Sequence, residues 1–278
     1  MKTTPPVFAP IGHLLKSALL ACIVLPCAVA NAQIQPGDVL YSTNFTGETG
    51  TSPAGWDATT SPSNTLTINN SRYRFNRVDS GAAMFGRYMG EFGGVASGDW
   101  TDYRVDTVLN GNVLANTGTR NAIILRWQTN SGPGGGNLGY AGYLAFVDAS
   151  TIDLRIVSGF SNLSSQTGDA GGTLLSSETF TFSLANSTDY RLSFEAAGSQ
   201  LTLSFATMDN TTSFSTSVFD SEYSSGAPGL RTYQAANGRR TDWDDFTVTA
   251  VVPEPRSLAL IFGGLAALGL LHRFRKKA

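Results

Sequence analysis

The chain has 278 residues, 41% of them hydrophobic and only 14% charged, whereas a soluble domain ordinarily carries about 25% charged residues. That much apolar content at a formal net charge of −2 excludes a disordered chain and requires a packed core. All 21 carboxylates lie between Asp38 and Glu254, where the only basic side chains are 12 arginines, so the middle carries −9 and excludes a nucleic-acid partner.

The rarer reactive side chains are segregated at the two ends. Cys22, Cys27, His13, His272, Lys2, Lys16, Lys276 and Lys277 all fall outside residues 33–250. The middle therefore has no thiol, imidazole or side-chain amine. It can hold no Ser-His-Asp or Cys-His triad, no zinc site built on His or Cys, no Schiff-base lysine and no internal disulfide.

In chain order, residues 1–32 read as a signal peptide. Lys2 and Lys16 precede an apolar run from Ser17 to Pro26, and Ala28-Val29-Ala30-Asn31-Ala32 supplies small-residue cleavage positions before Gln33. Residues 33–250 follow as one β domain: no apolar stripe of helical period runs through them, and short alternating segments are separated by Gly, Asn, Ser and Asp. Strands are predicted at 38–45, 64–69, 72–78, 100–109, 121–128, 140–147 and 151–157. Further strands are predicted at 178–184, 189–196, 200–207, 213–219, 227–233 and 242–250, with Gly198-Ser199 as a hairpin turn. Thr-, Val-, Phe- and Tyr-rich strands at this spacing point to a sandwich or barrel.

The order of these segments resembles the concanavalin-A-like or laminin-G-like jelly roll. The matching pieces are Ser42-Thr43-Asn44-Phe45, Asp99 to Val105, Ile124-Leu125-Arg126, Gly142-Tyr143-Leu144, the hairpin from Tyr190 to Ala206, Gly226 to Arg231, and Trp243 to Val248. The resemblance implies an all-β jelly-roll sandwich whose last strand returns beside the first. It also implies glycan binding, or glycan cleavage in the enzymes that share the fold. The laminarinase-type hydrolases carry Glu-x-Asp-x-x-Glu on one strand, and retaining chemistry needs two carboxyl groups about 5–5.5 Å apart. Glu48, Glu91, Glu178, Glu195 and Glu222 are instead isolated, so a non-enzymatic role is expected.

Two sets of candidate ligand-binding residues stand out. Arg72 and Arg74 share a strand face and suit an acidic polysaccharide, or are simply a solvated face. Arg126, Gln128 and Tyr143 are placed on the concave sheet, where guanidinium and ring would hold sugars. The four tryptophans, Trp56, Trp100, Trp127 and Trp243, are assigned to the core. The jelly-roll resemblance implies one cofactor, a structural calcium ion bound by Asp245 with Asp244. The plainer alternative has these acids at the start of a strand, facing water.

At the C-terminus, residues 251–278 place Pro253-Glu254-Pro255 before an apolar run at 257–271 and a basic tail at 272–277 that includes Arg273, Arg275, Lys276 and Lys277. Fifteen residues of helix reach about 22 Å, short of a hydrocarbon core of about 30 Å but within the range that snorkelling and local thinning accommodate. The three-part order resembles the PEP-CTERM sorting signal. That resemblance implies export through the Sec machinery, anchoring in the inner membrane with the β domain outside the cytoplasm, and processing by an exosortase. The expected product is a non-enzymatic envelope or extracellular-matrix protein associated with exopolysaccharide or biofilm. A carbohydrate-binding lectin-like module is the alternative, and a glycan-cleaving enzyme the second.

Overall fold

The protein is described by a computed structural model covering residues 34–59, 65–76, 83–111, 119–129, 137–148, 150–160, 172–233 and 240–251. The signal peptide, Pro253, Glu254, Pro255, the apolar run at 257–271 and the basic tail lie outside these described residues. The chain divides into two compact units, Met1–Asn31 and Ala32–Ala278, and every described residue belongs to the second. Among the described residues, no helix is long and apolar enough to cross a membrane.

The described part is a β-sandwich. Its first strands are β1 (Val39–Thr43), β2 (Trp56–Thr59), β3 (Thr65–Asn69), β4 (Arg72–Asn76), β5 (Ala83–Tyr88) and the short pair β6 (Glu91–Phe92) and β7 (Val95–Ala96). A 3-10 turn at Ser97–Asp99 leads into β8 (Tyr103–Gly111), β9 (Arg120–Thr129), β10 (Asn137–Asp148), β11 (Thr151–Phe160) and β12 (Thr173–Thr181). The chain closes with β13 (Asp189–Ala197), β14 (Gln200–Thr207), β15 (Ser213–Phe219), β16 (Ala227–Tyr233) and β17 (Arg240–Ala250).

An eight-stranded sheet runs β15-β14-β13-β8-β17-β4-β3, and β1 also pairs with β17. The long last strand makes this possible, since its first half pairs with β4 (Trp243↔Tyr73) and its second half with β1 (Phe246↔Thr43). The last strand thus returns beside the first, as the jelly-roll resemblance implied. A seven-stranded sheet runs β12-β11-β10-β9-β16-β5-β2, and its neighbouring strands are all antiparallel.

Period-two alternation decides what lies between the sheets. From the eight-stranded sheet come Tyr73, Phe75, Tyr103, Val105, Leu192, Phe194, Leu203, Trp243 and Phe246; from the seven-stranded sheet come Trp56, Ile123, Leu125, Tyr140, Leu154, Ile156 and Leu230. Gly142 on β10 marks the closest approach. A Cβ there would sit 2.8 Å from Leu203 Cδ1 and 2.9 Å from the Phe194 ring, both on the facing sheet.

The predicted bounds of 200–207, 213–219 and 227–233 match β14, β15 and β16, and Gly198-Ser199 forms the expected two-residue turn with Gly198 at φ 59. Four strands, β2, β5, β6 and β7, are additional to the predicted set. Three of them are four residues or shorter, and β5 is interrupted by Gly86, where a Cβ would meet Tyr73 Cε1 at 2.9 Å and Trp56 Cε3 at 3.1 Å. Glycine leaves room for those two rings at the cost of the alternation that marks a strand.

Gly142→Val is expected to overpack the sandwich by about 1–3 kcal/mol. Its thermal melt should then fall by roughly 3–10 °C, and an unchanged melting temperature would show that the facing side chains give way freely.

Candidate functional site

The face of the seven-stranded sheet turned away from its partner sheet has a different composition from the core. Strand register lays Phe85, Arg231, Ala122, Tyr143 and Arg155 in one row across β5, β16, β9, β10 and β11. The adjacent row is Arg87, Gly229, Ile124, Ala141 and Val157. Large rings and guanidinium groups therefore alternate with Ala, Gly and short aliphatics. Phe85, Ala122, Ile124, Trp127, Ala141, Tyr143, Val157 and Tyr233 form a buried cluster separate from the inter-sheet core.

Arginines and aromatic rings interleave on this face. The Arg231 guanidinium lies 5.3 Å from the Phe85 ring centroid and 5.2 Å from that of Tyr143, and its Nη1 donates to Tyr143 Oη at 2.6 Å. Arg87 lies 5.4 Å from the Trp127 ring while its Nη2 faces Asp57 Oδ2 at 3.4 Å. Arg120 lies 5.8 Å from the Tyr233 ring. A cation over a ring contributes about 0.5–2 kcal/mol, more when desolvated. Gly229 makes room for Trp127: a Cβ at that position would be 2.7 Å from Trp127 Cε3 and 2.7 Å from the Gly86 carbonyl oxygen. The four rings are buried, Phe85 at 2%, Trp127 at 6%, Tyr143 at 0% and Tyr233 at 7% exposure, so the arginines and rings pack on one another rather than forming an open surface.

Of the residues singled out from the sequence, Tyr143 belongs to this face. Simple alternation along β9 puts Ile124, Arg126 and Gln128 together on it, but a bulge at Arg126 changes the outcome. Arg126 has φ 52, and the register shifts beside it on both neighbouring strands. Its side chain is buried, and the guanidinium is taken up by backbone: Nε donates to the Thr101 carbonyl at 2.8 Å, Nη1 to that of Tyr223 at 2.9 Å and Nη2 to that of Gly198 at 2.8 Å. Asp102 Oδ1 accepts from Nη2 at 3.2 Å and from the Gly198 amide at 2.6 Å. Gln128 donates to the Ser225 carbonyl at 2.8 Å. Trp127 joins the outward cluster, whereas Trp56, Trp100 and Trp243 lie in the inter-sheet core.

Arg72 and Arg74 do share a face, the outer one of the eight-stranded sheet, but their charges are matched there. Arg72 is bidentate to Asp189 at 2.9 and 3.1 Å and lies 3.4 Å from Asp244; Arg74 is bidentate to Asp242 at 2.8 and 3.0 Å. Asp244 Oδ1 also accepts the Asp245 amide at 2.9 Å, and Asp245 has φ 46 at a bulge in β17. Among the described residues, no group of three or more His, Cys, Asp or Glu converges to hold a metal ion. Asp244 also faces the Arg72 guanidinium, and Asp245 follows it at the bulge.

Phe85, Arg87, Trp127, Arg231 and Tyr233 are functional candidates that sequence reasoning did not select. A signal was present on β16, where Gly229, Arg231 and Tyr233 alternate onto one face. On β5, Phe85 and Arg87 do the same.

The architecture is a jelly-roll β-sandwich, and comparison with solved structures agrees. The CBM2 module of the Lactobacillus casei BL23 phage J-1 evolved Dit superposes with a TM-score of 0.50 at 13% identity, covering 79% of this chain and 98% of that one. The VIP36 exoplasmic/lumenal domain in its Ca2+/Man2-bound form gives 0.54 at 15% identity, covering 78% and 91%. A Bacillus subtilis protein of unknown function with a galectin-like fold gives 0.50 at 12% identity, covering 79% and 99%. No protein-family model and no curated protein matches the chain.

The ion-pair ladder has a pH signature. The bonded Arg72 guanidinium holds Asp189 below the usual carboxylate value, so this contribution is present at neutral pH and is lost as pH falls through the depressed value. Burial pushes Asp244 the other way, so its ionisation costs stability as pH rises through the raised value. Asp189→Asn is expected to lower the melting temperature at pH 7, with the gap to the parent closing below the usual carboxylate range. A gap that persists in acid would dissociate the effect from the ion pair.

Proposed function

We propose that this chain is an exported, non-catalytic carbohydrate-binding protein of the bacterial envelope or extracellular matrix. Glycan contact is assigned to the outward face of the seven-stranded sheet, whose rings are 0–7% exposed and must be uncovered before a sugar can stack on them. The observation that carries the reading is the interleaving of Arg87, Arg120 and Arg231 with Phe85, Trp127, Tyr143 and Tyr233 on that single face. Stacking rings beside fixed donors are what a sugar, apolar on one face and hydroxylated at its edges, requires. Shared fold with a carbohydrate-binding module and a mannose-bound lumenal domain supports the reading by analogy.

The two chain ends supply the destination. The Sec signal at 1–32 and the PEP-CTERM-like segment at 251–278 would take the domain across the inner membrane, hold it there and present it to an exosortase. Exopolysaccharide is the partner that this location and this face have in common.

Two measurements test these statements. On a glycan array, the full-length chain in mild detergent should bind with and without a calcium chelator, and Trp127→Ala should weaken binding about tenfold or more; absence of binding in both conditions rejects the glycan role. Deleting 251–278 should move the protein out of the membrane fraction and abolish mass processing in cells that have an exosortase. Unchanged location together with unchanged mass rejects the sorting role.

A further inference from the structure

We propose that β15 is a self-pairing edge: two copies of the chain join antiparallel along Ser213–Phe219, about a two-fold axis at Thr216, and so form one continuous sheet.

β15 ends the eight-stranded sheet and pairs with β14 on one side only. Two bonds bracket that ladder, from the Thr207 amide to the Thr212 carbonyl at 3.0 Å and from the Asp220 amide to the Ser199 carbonyl at 2.8 Å. Between them the register runs without a shift. In an antiparallel ladder the bonded pairs recur at every second residue. Phe214, Thr216 and Val218 therefore direct their peptide groups at β14, and Ser213, Ser215, Ser217 and Phe219 direct theirs away from it. Among the described residues, no backbone group bonds to that outer row.

Sheet edges are ordinarily blunted, because unpaired peptide groups are a template for another strand. The other edges of the two large sheets carry such devices. β1 has a bulge between Val39 and Tyr41, and the Ile68 amide of β3 is taken by the Gly50 carbonyl at 2.9 Å. β12 shifts register against Ile156 and Val157 and carries Glu178, and β2 has four residues with Asp57 among them. β15 has seven residues, no charge, no proline and no bulge.

The symmetry of the strand identifies the occupant as a second copy. Its outer peptide groups are evenly spaced about Thr216, so a reversed copy sets Ser215 against Ser217 and Ser213 against Phe219, each as a bonded pair. An uncharged strand meets its own copy without repulsion, although the stretch from Asp38 to Glu254 carries −9. Phe219, 74% exposed, is the most exposed large hydrophobic side chain among the described residues, and the pairing lays it beside Ser213 of the second copy. Thr216 points inward, bonded to Ser176 at 2.7 Å and to Glu178 at 3.1 Å, which holds β15 in place for pairing.

The test is sedimentation of the full-length chain in density-matched detergent. Strand pairing alone makes an interface below about 1,200 Å², so dimers should form with a Kd of about 1–100 µM. No larger species should appear, because the pairing consumes the edge that makes it. Ser217→Pro removes an outward amide and none that faces β14; it should weaken dimerisation about tenfold or more while the dilute monomer melts as the parent does. Two double variants on exposed side chains fix the register. Ser215→Lys with Ser217→Lys should abolish the dimer, and Ser215→Glu with Ser217→Lys should keep it, since each glutamate meets a lysine of the other copy. If Ser217→Pro fails to fold, these two variants decide alone. A monomer at every concentration overturns the inference, as does growth into polymers. Dimers that withstand the paired lysines overturn it as well, and so does equal loss in both double variants.

Discussion

Arg126 is the residue through which the two sheets and the candidate site are tied together. Its left-handed backbone lets both neighbouring strands slip register at one point, and Gly139 and Gly226, with φ 135 and 148, lie against its carbonyl where any Cβ would collide. Its amide donates to the Tyr103 hydroxyl at 2.6 Å, which in turn donates to the Gly226 carbonyl at 2.8 Å, so an inward tyrosine of the eight-stranded sheet closes the bulge of the seven-stranded one. The guanidinium then ties together the carbonyls of Thr101, Gly198 and Tyr223, which come from three separate connections. One left-handed residue thus seals the sandwich end, and past it Trp127 joins the outward face.

The absence of lysine from the domain leaves arginine to meet every need for positive charge, and it does so in three ways. On the outer face of the eight-stranded sheet it forms bidentate pairs with Asp189 and Asp242, which match an acidic surface locally. At the sandwich end it satisfies backbone carbonyls. On the outward face of the seven-stranded sheet it lies over aromatic rings, where a planar, weakly hydrated cation is favoured and an ammonium would be less so. Among the described residues, only in this third setting does a buried guanidinium nitrogen lack a hydrogen-bond partner, at Arg87 and Arg231.

Much of the strand framework was legible because period-two alternation survives wherever a strand has one buried face, as in Tyr190, Leu192, Phe194 and Ala196 on β13. It failed where the pattern was broken for packing reasons: Gly86 in β5 leaves room for Tyr73 and Trp56, and β2, β6 and β7 are too short to show a period. The candidate site was legible only in its ingredients. Tyr143 was recognised as a ring that could face sugar, but Arg126 sits on a bulge that alternation cannot foresee, and Trp127 was counted with the core tryptophans. Phe85 and Arg231 are 146 positions apart and meet only because β5 and β16 pair.

What the sequence determined by itself concerns chemistry that depends on composition and on contiguous order. The lack of His, Cys and Lys between residues 33 and 250 and the all-β class are both of this kind. Only the tertiary structure decided which arginines are matched and which are not. A guanidinium's partners are drawn from strands far apart in the chain, and the sign of its surroundings exists only once those strands are in register. By that criterion Arg72 and Arg74, adjacent in sequence to the aromatic Tyr73 and Phe75, are bound to carboxylates, and Arg231 stands between two rings with an unpartnered nitrogen.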